Sequence, residues 1–158
     1  AVRDIVFAAH YLVMGLGDTA TTVAGQALMF EEFIAREARA GRFAPAFKPA
    51  TRPLKVHGHC HQKAFGVMPA VLEVLTLIPG ASPEPIESSC CGMAGAFGYD
   101  AKHYDVSMQM AELSLLPAVR NAPDAIIVAD GTSCRHQIHD GAQRVAKHAM
   151  TVLAEHLA

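Results

Sequence analysis

Apolar residues follow two rhythms along this chain, and the change between them falls near residue 54. An apolar stretch from Ile5 to Leu16 comes first. Then Val23, Ala27, Phe30 and Ile34 recur at i, i+4, i+7 and i+11, the spacing of one helix face. A single helix is predicted from Thr22 to Ala40, with Glu31, Glu32, Arg36 and Arg39 off the stripe and Gly41 capping its end. Three prolines between Arg42 and Pro53 predict an irregular linker.

Beyond the linker, strands and helices alternate. Leu54 to His57 reads as a strand, and Met68 to Ile78 as an apolar helix with Pro69 in its first turn. Glu84 to Glu87 is a strand weakened by Pro85. A helix is predicted from His103 to Arg120, striped by Val106, Met110, Leu113 and Leu116 and bent or ended by Pro117. Asp124 to Ala129 is a continuous apolar run, as in a strand buried on both faces. A short helix or turn from Arg135 to Asp140 follows. The chain closes on a helix from Gln143 to Leu157, with Val145, Ala149, Val152 and Leu153 inward. This is the pattern of an α/β fold, a Rossmann-like parallel sheet with flanking helices. The expected organisation is an N-terminal helical segment and linker over 1–53, then one α/β domain over 54–158.

Composition narrows the function. With 51% hydrophobic and 18% charged residues in 158, the chain can bury a core. A formal charge of −2 gives no electrostatic footprint for nucleic acid. The longest apolar run, Val71 to Pro79, is interrupted by Glu73 and Thr76, so no transmembrane segment is expected. The start, Ala1-Val2-Arg3-Asp4, lacks a basic region followed by an apolar block. A cytoplasmic location is expected, with attachment at the inner face of the membrane only through partners.

The chemistry lies in four cysteines at three places, each just after a predicted strand. Cys60 lies in His57-Gly58-His59-Cys60-His61-Gln62-Lys63, Cys90-Cys91 opens a glycine-rich loop, and Cys134 lies in Gly131-Thr132-Ser133-Cys134-Arg135-His136. In a parallel sheet these loops converge on the carboxyl edge, where open α/β sheets place their ligands. Thiolates are soft donors that favour zinc, copper(I) or iron–sulfur clusters. Adjacent cysteines start out on opposite sides of the backbone, which suits a multi-iron cluster better than one mononuclear ion. Gly92, Gly95 and Gly98 would let the backbone wrap closely around the sulfurs. Met93, Ala94, Ala96 and Phe97 make the loop apolar, so an opening there would serve as an interface or a site of self-association. His59, His61 and His136 are candidate ligands or supports, with hydrogen bonding the better reading for each histidine, His57 included. Lys63 and Arg135 sit where they could offset negative charge.

These strings resemble the CCG domain, the cysteine-rich module found in heterodisulfide reductase and in the glycolate oxidase iron–sulfur subunit. Glu87-Ser88-Ser89-Cys90-Cys91-Gly92-Met93-Ala94-Gly95 and Asp130-Gly131-Thr132-Ser133-Cys134-Arg135-His136-Gln137 are closer still to the C-terminal part of FAD-linked oxidases fused to iron–sulfur modules. The resemblance covers about residues 54–157. It implies a cluster held by Cys60, Cys90, Cys91 and Cys134, serving electron transfer from a partner flavin dehydrogenase domain that carries FAD, alongside further iron–sulfur modules. The familiar pattern ends in Cys-x-x-Cys, and Gly131 stands where the first of those cysteines would be. That leaves four thiols, the number for a 4Fe–4S cluster or for zinc. The expected function is therefore an electron-transfer module of an oxidoreductase acting on a 2-hydroxy acid such as glycolate or D-lactate. The isolated chain would lack the flavin catalytic part. A zinc-stabilised docking domain and a thiol–disulfide oxidoreductase using Cys90 and Cys91 are the alternatives.

Overall fold

The computed structural model describes residues 17–158; the stretch from Ile5 to Leu16 lies outside them. The chain divides into two compact units, one ending at Ala44 and one spanning Pro45–Ala158.

In the first unit the single predicted helix is two, α1 (Asp18–Gln26) and α2 (Phe30–Arg39). Ala27 turns to an extended ψ of 111°, and Val23, expected on the inner stripe, is exposed. The restart is local chemistry. The Met29 N–H donates to Glu32 Oε2 at 2.8 Å, satisfying one of the donors that a helix start leaves open. Gly41 ends α2 at φ 69°, as its position predicted.

The second unit is an α/β layer. Its strands are β1 (Leu54–His57), β2 (Pro83–Pro85), β3 (Ile126–Ala129) and β4 (Ala146–Lys147), all parallel in the order β2-β1-β3-β4. Parallel neighbours need crossovers, and helices supply them. α3 (Cys60–Ala64) and α4 (Met68–Leu75) join β1 to β2. A 3₁₀ turn (Phe97–Tyr99), α5 (Tyr104–Glu112) and α6 (Leu115–Arg120) join β2 to β3. α7 (Thr132–Ala142) leads to β4, and α8 (Ala149–Glu155) follows it. The central strands are buried, and Leu54, Val56, Ile127 and Val128 pack in a core with Val71, Leu75, Leu115, Leu116, Ile138 and Val152. Each such aliphatic side chain stabilises the fold by about 1.5–3 kcal/mol. Proline-bearing β2 is confined to the edge, where missing N–H groups cost least. It starts one residue earlier than its predicted span and ends two earlier, and Ile86 N–H still reaches Val56 O at 2.8 Å.

Three helices depart from their patterns. The His103 to Arg120 segment breaks at Leu113-Ser114 rather than at Pro117, which fits within the first turn of α6. Half of its predicted stripe is turned outward, with Val106 48% and Leu113 80% exposed, whereas Met110 is half-buried and Leu116 is in the core as expected; Ser107 and Ala111 are buried instead. The reason is a polar anchor. Gln137 Nε2 donates to Ser107 O at 3.0 Å and Oγ at 2.9 Å, drawing Ser107 into the interior. The closing helix starts only at Ala149, because Ala146-Lys147 pairs with β3 as a strand, leaving Val145 exposed. The short turn expected from Arg135 is the longer α7, so Cys134 lies in its first turn rather than in a loop. The segment expected to be an irregular linker is fastened at its end: Phe47 bridges Leu157, Ala50 N–H donates to Pro79 O, and Arg52 binds Asp124 O at 2.7 Å. Among the described residues no helix is long and apolar enough to cross a membrane.

Asp130, just past β3, ties three elements at the carboxyl edge. It accepts from Gln62 Nε2 of α3 at 2.5 Å and from the Ala149 N–H opening α8 at 2.7 Å. Asp130→Ala leaves both donors unpaired, and should cost about 1–3 kcal/mol in urea unfolding, with an unchanged denaturant slope.

Candidate metal centre

Because β1, β2 and β3 run parallel, the chain leaves all three at one edge, and the three cysteine segments lie there. Their sulfurs come together as two close pairs. Cys60 Sγ, on the first residue of α3, lies 3.8 Å from Cys90 Sγ; Cys134 Sγ lies 3.3 Å from Cys91 Sγ. The pairs differ in environment. Cys60 is exposed and Cys90 half-buried, whereas Cys91 and Cys134 are 2% and 1% exposed. The site is thus a pocket of sulfur with a closed floor and an open rim.

Two sulfurs this close in the interior cannot both carry a full charge. The Cys134 thiol donates to Cys91 Sγ, and that bond holds the Cys91 thiol down to about 4 against the opposing effect of burial, with help from the neighbouring His57 ring and the Met93 backbone N–H. The same bond, burial and the negative charge on Cys91 push the Cys134 thiol far up. At the rim, burial and then the charge of Cys90 push the Cys60 thiol up. Gly92 N–H points at Cys90 Sγ at 3.3 Å.

Tight packing positions the sulfurs. Gly92 has φ 89°, and a Cβ there would overlap the Ser107 carbonyl oxygen, so only glycine fits. A Cβ on Gly131 would stand 2.5 Å from His59 Cδ2 and 2.9 Å from Cys134 Sγ, so a side chain at this position is blocked by a histidine ring and a cysteine sulfur. His59 is the N-cap of α3: its ring accepts from the His61 N–H at 3.3 Å, and its own N–H donates to Gln62 Oε1 at 2.9 Å. Burial, more than the nearby His61, pushes the His59 ring down toward the neutral form.

The remaining sequence candidates have other work. Lys63 Nζ donates to Ser88 O and to Ser89 O, bracing the double-cysteine loop. Arg135 ties down Ala129 O at 3.0 Å and Asp130 O at 2.6 Å. His136 Nδ1 meets the Tyr99 hydroxyl at 2.6 Å, and His61 is exposed with its ring 5.0 Å from that of His59. Gly95 has φ 69° with open space around it, a turn residue rather than a close wrap. The apolar loop divides: Met93 is buried beside Ser107 Oγ, Ala94 and Ala96 are exposed, and Phe97 stacks on His103.

One residue in the centre was given a hydrogen-bonding role by sequence reasoning. His57, at the end of β1, has a ring nitrogen within 4.8 Å of the sulfurs of Cys91 and Cys134, and all three residues are buried. Its Nδ1 lies 2.8 Å from Ser88 Oγ, whereas Nε2 is buried with no hydrogen-bond partner among the described residues. The usable signal was its place, the last strand residue before the cysteine loop. Four thiols and an orphaned imidazole nitrogen fit a thiophilic metal or an iron–sulfur cluster.

The comparisons with known proteins agree with a redox context. No family model matches the chain, and no solved structure matches it. It is 33% identical over 108 residues to a subunit of the anaerobic glycerol-3-phosphate dehydrogenase of Escherichia coli (strain K12), covering 67% of this chain and 27% of that protein. It is also 33% identical over 99 residues to D-2-hydroxyglutarate dehydrogenase of the same strain, covering 62% of this chain and 10% of that protein. The Pantoea ananatis D-2-hydroxyglutarate dehydrogenase is 33% identical over 76 residues, 48% of this chain and 7% of that protein. The chain therefore resembles parts of larger dehydrogenase proteins, and spans about a quarter or less of their length.

Two outcomes test this geometry. Gly131→Ala should displace His59 or the Cys134 sulfur by sterics alone, since φ −68° suits any residue there. Its metal uptake should fall while its circular dichroism stays that of the parent. Metal-free protein treated with ferricyanide should lose two electrons, taken by two ferricyanide ions, and the one proton held between Cys91 and Cys134, whose sulfurs are closest, and peptide mapping should find that disulfide before one joining Cys90 to Cys91.

Proposed function

We propose that this chain is an electron-transfer module of a dehydrogenase, with an iron–sulfur cluster held by Cys60, Cys90, Cys91 and Cys134. The observation that carries this reading is the convergence of four cysteine sulfurs, from two helix starts and one loop, at the carboxyl edge of one parallel sheet. A cluster bound there supplies one-electron chemistry. The chain's own contribution is to hold the sulfurs, to aim the Gly92 and Met93 N–H groups at them, and to shield Cys91 and Cys134 from water. Electrons would come from a flavin dehydrogenase domain carrying FAD and pass to further iron–sulfur modules. The substrate class we favour is a 2-hydroxy acid, and D-2-hydroxyglutarate, named for one relative, is such an acid. The CCG-type domain assigned to 54–158 is part of this proposal, as are a location on the cytoplasmic side of the membrane and an interface at the exposed lip around Ala94 to Ala96.

A second reading is structural zinc. Tetrahedral zinc with Zn–S bonds of about 2.3 Å places its sulfurs roughly 3.8 Å apart, as Cys60 and Cys90 are. The two readings part on a single substitution. In anaerobically prepared protein carrying a cluster, Cys91→Ser should abolish the broad visible absorbance and leave the fold, because the apolar core does not depend on metal. With zinc the protein is colourless before and after, and the same change lowers the unfolding temperature sharply.

Acidity bears on loading in either case. Cys60 and Cys134 are held above the usual thiol range, so both are protonated near neutrality in the metal-free protein and must lose their protons to bind. Metal affinity should therefore rise with pH, about tenfold per unit for each proton released, and fall as pH drops. Potentiometric titration of zinc or iron uptake between pH 6 and 8 checks the sign.

A further inference from the structure

Resting on the metal-centre reading, we infer that the centre is not held by sulfur alone: His57 binds its metal through Nε2, beside Cys91 and Cys134. Three observations bear on that ring. His57 is 1% exposed, and a buried ring nitrogen without a partner costs free energy that a native fold normally avoids. The ring is placed with Cys91 and Cys134, donor atoms within 4.8 Å of one another, close enough to share one ion. Its other nitrogen is already engaged. Ser88 Oγ lies 2.8 Å from Nδ1 and 3.4 Å from Ile86 O, so a hydroxyl donating to that carbonyl receives the Nδ1 proton. The ring is then fixed as the tautomer with a lone pair on Nε2, the form that binds metals.

The supports of this ring come from the same loop as the double cysteine. Lys63 Nζ clamps the carbonyls of Ser88 and Ser89, which holds the Ser88 hydroxyl in register with His57. Ligating histidines characteristically give their second N–H to an acceptor that fixes ring orientation, and removing such an acceptor costs roughly 10–100-fold in metal affinity. Ser88, by this geometry, is the positioning residue for His57. A neutral imidazole beside the thiolates also leaves the centre less negative than a further thiolate would, which raises its reduction potential.

The competing role for the ring is a hydrogen-bond donor from Nε2 to the Cys91 sulfur, with no bond to metal. Cadmium-113, a spin-½ ion that accepts the donors zinc does, separates the two. The metal-free protein, with ¹⁵N in its histidine rings, is loaded anaerobically with ¹¹³Cd²⁺ alone. Direct ligation predicts a through-bond ¹¹³Cd–¹⁵N splitting on one histidine Nε2, retained in His59→Ala and His61→Ala and lost in His57→Ala. Ser88→Ala should keep the splitting and weaken cadmium binding roughly 10-fold or more. This second variant keeps the test decisive should His57→Ala fail to fold. A cadmium-loaded protein with no ¹⁵N splitting, or with an Nε2–H proton still on His57, overturns the inference while leaving the cysteine site standing. A protein that takes up no cadmium, or takes it up equally well as Cys91→Ser, overturns this inference and the metal-centre reading together.

Discussion

Two sulfurs buried 3.3 Å apart, those of Cys91 and Cys134, are the constraint on which the rest of this structure turns. In a low-dielectric interior two thiolates at that distance repel too strongly to coexist. The pair must share a proton, join in a disulfide, or meet a cation. In the metal-free protein the first holds, with Cys91 ionised and Cys134 protonated. Such a state is poised: a soft metal ion displaces the shared proton and satisfies both sulfurs at once.

The fold delivers that pair through long-range order, since Cys91 and Cys134 are 43 residues apart. Parallel pairing of β1 with β2 and β3 sends all three cysteine segments to one edge. Small, polar fastenings then set their fine position. Asp130 fastens the starts of α3 and α8, Gln137 and Ser107 hold α5 under the double-cysteine loop, and Lys63 braces that loop from below. Gly92 and Gly131 keep open the space that a Cβ would take. The floor is therefore rigid and dry while the Cys60–Cys90 rim stays open, the arrangement expected where electrons must enter or leave by the surface.

Sequence patterns carried the architecture wherever burial is two-sided. Ile127, Val128 and Ala129 are buried in succession, as are Val56 and His57, so both faces of each strand are covered, and apolar residues there admit one reading. The same patterns failed where a polar contact outweighed apolar periodicity. Ser107 displaced Val106 from the inner face because Gln137, 30 residues on, offers it two hydrogen bonds, a partnership invisible to spacing. The break at Ala27 and the short β4 were missed for related reasons: one depends on a Glu32 cap, the other on pairing with β3. At the centre, the cysteines were legible because thiols at strand ends have few bland explanations. The bracing by Lys63 and Arg135 was not, since a basic residue beside a cysteine reads equally as charge compensation.

The central claim is that these four cysteines form a metal centre with sulfur-dominated ligation. X-ray absorption at the iron and zinc edges of anaerobically purified protein tests it most directly. Sulfur should be the main scatterer bonded to the metal, with iron–iron backscattering if the metal is a cluster. A protein that carries no metal after anaerobic isolation and loading with iron and sulfide or with zinc, or whose metal is surrounded by oxygen, would contradict it.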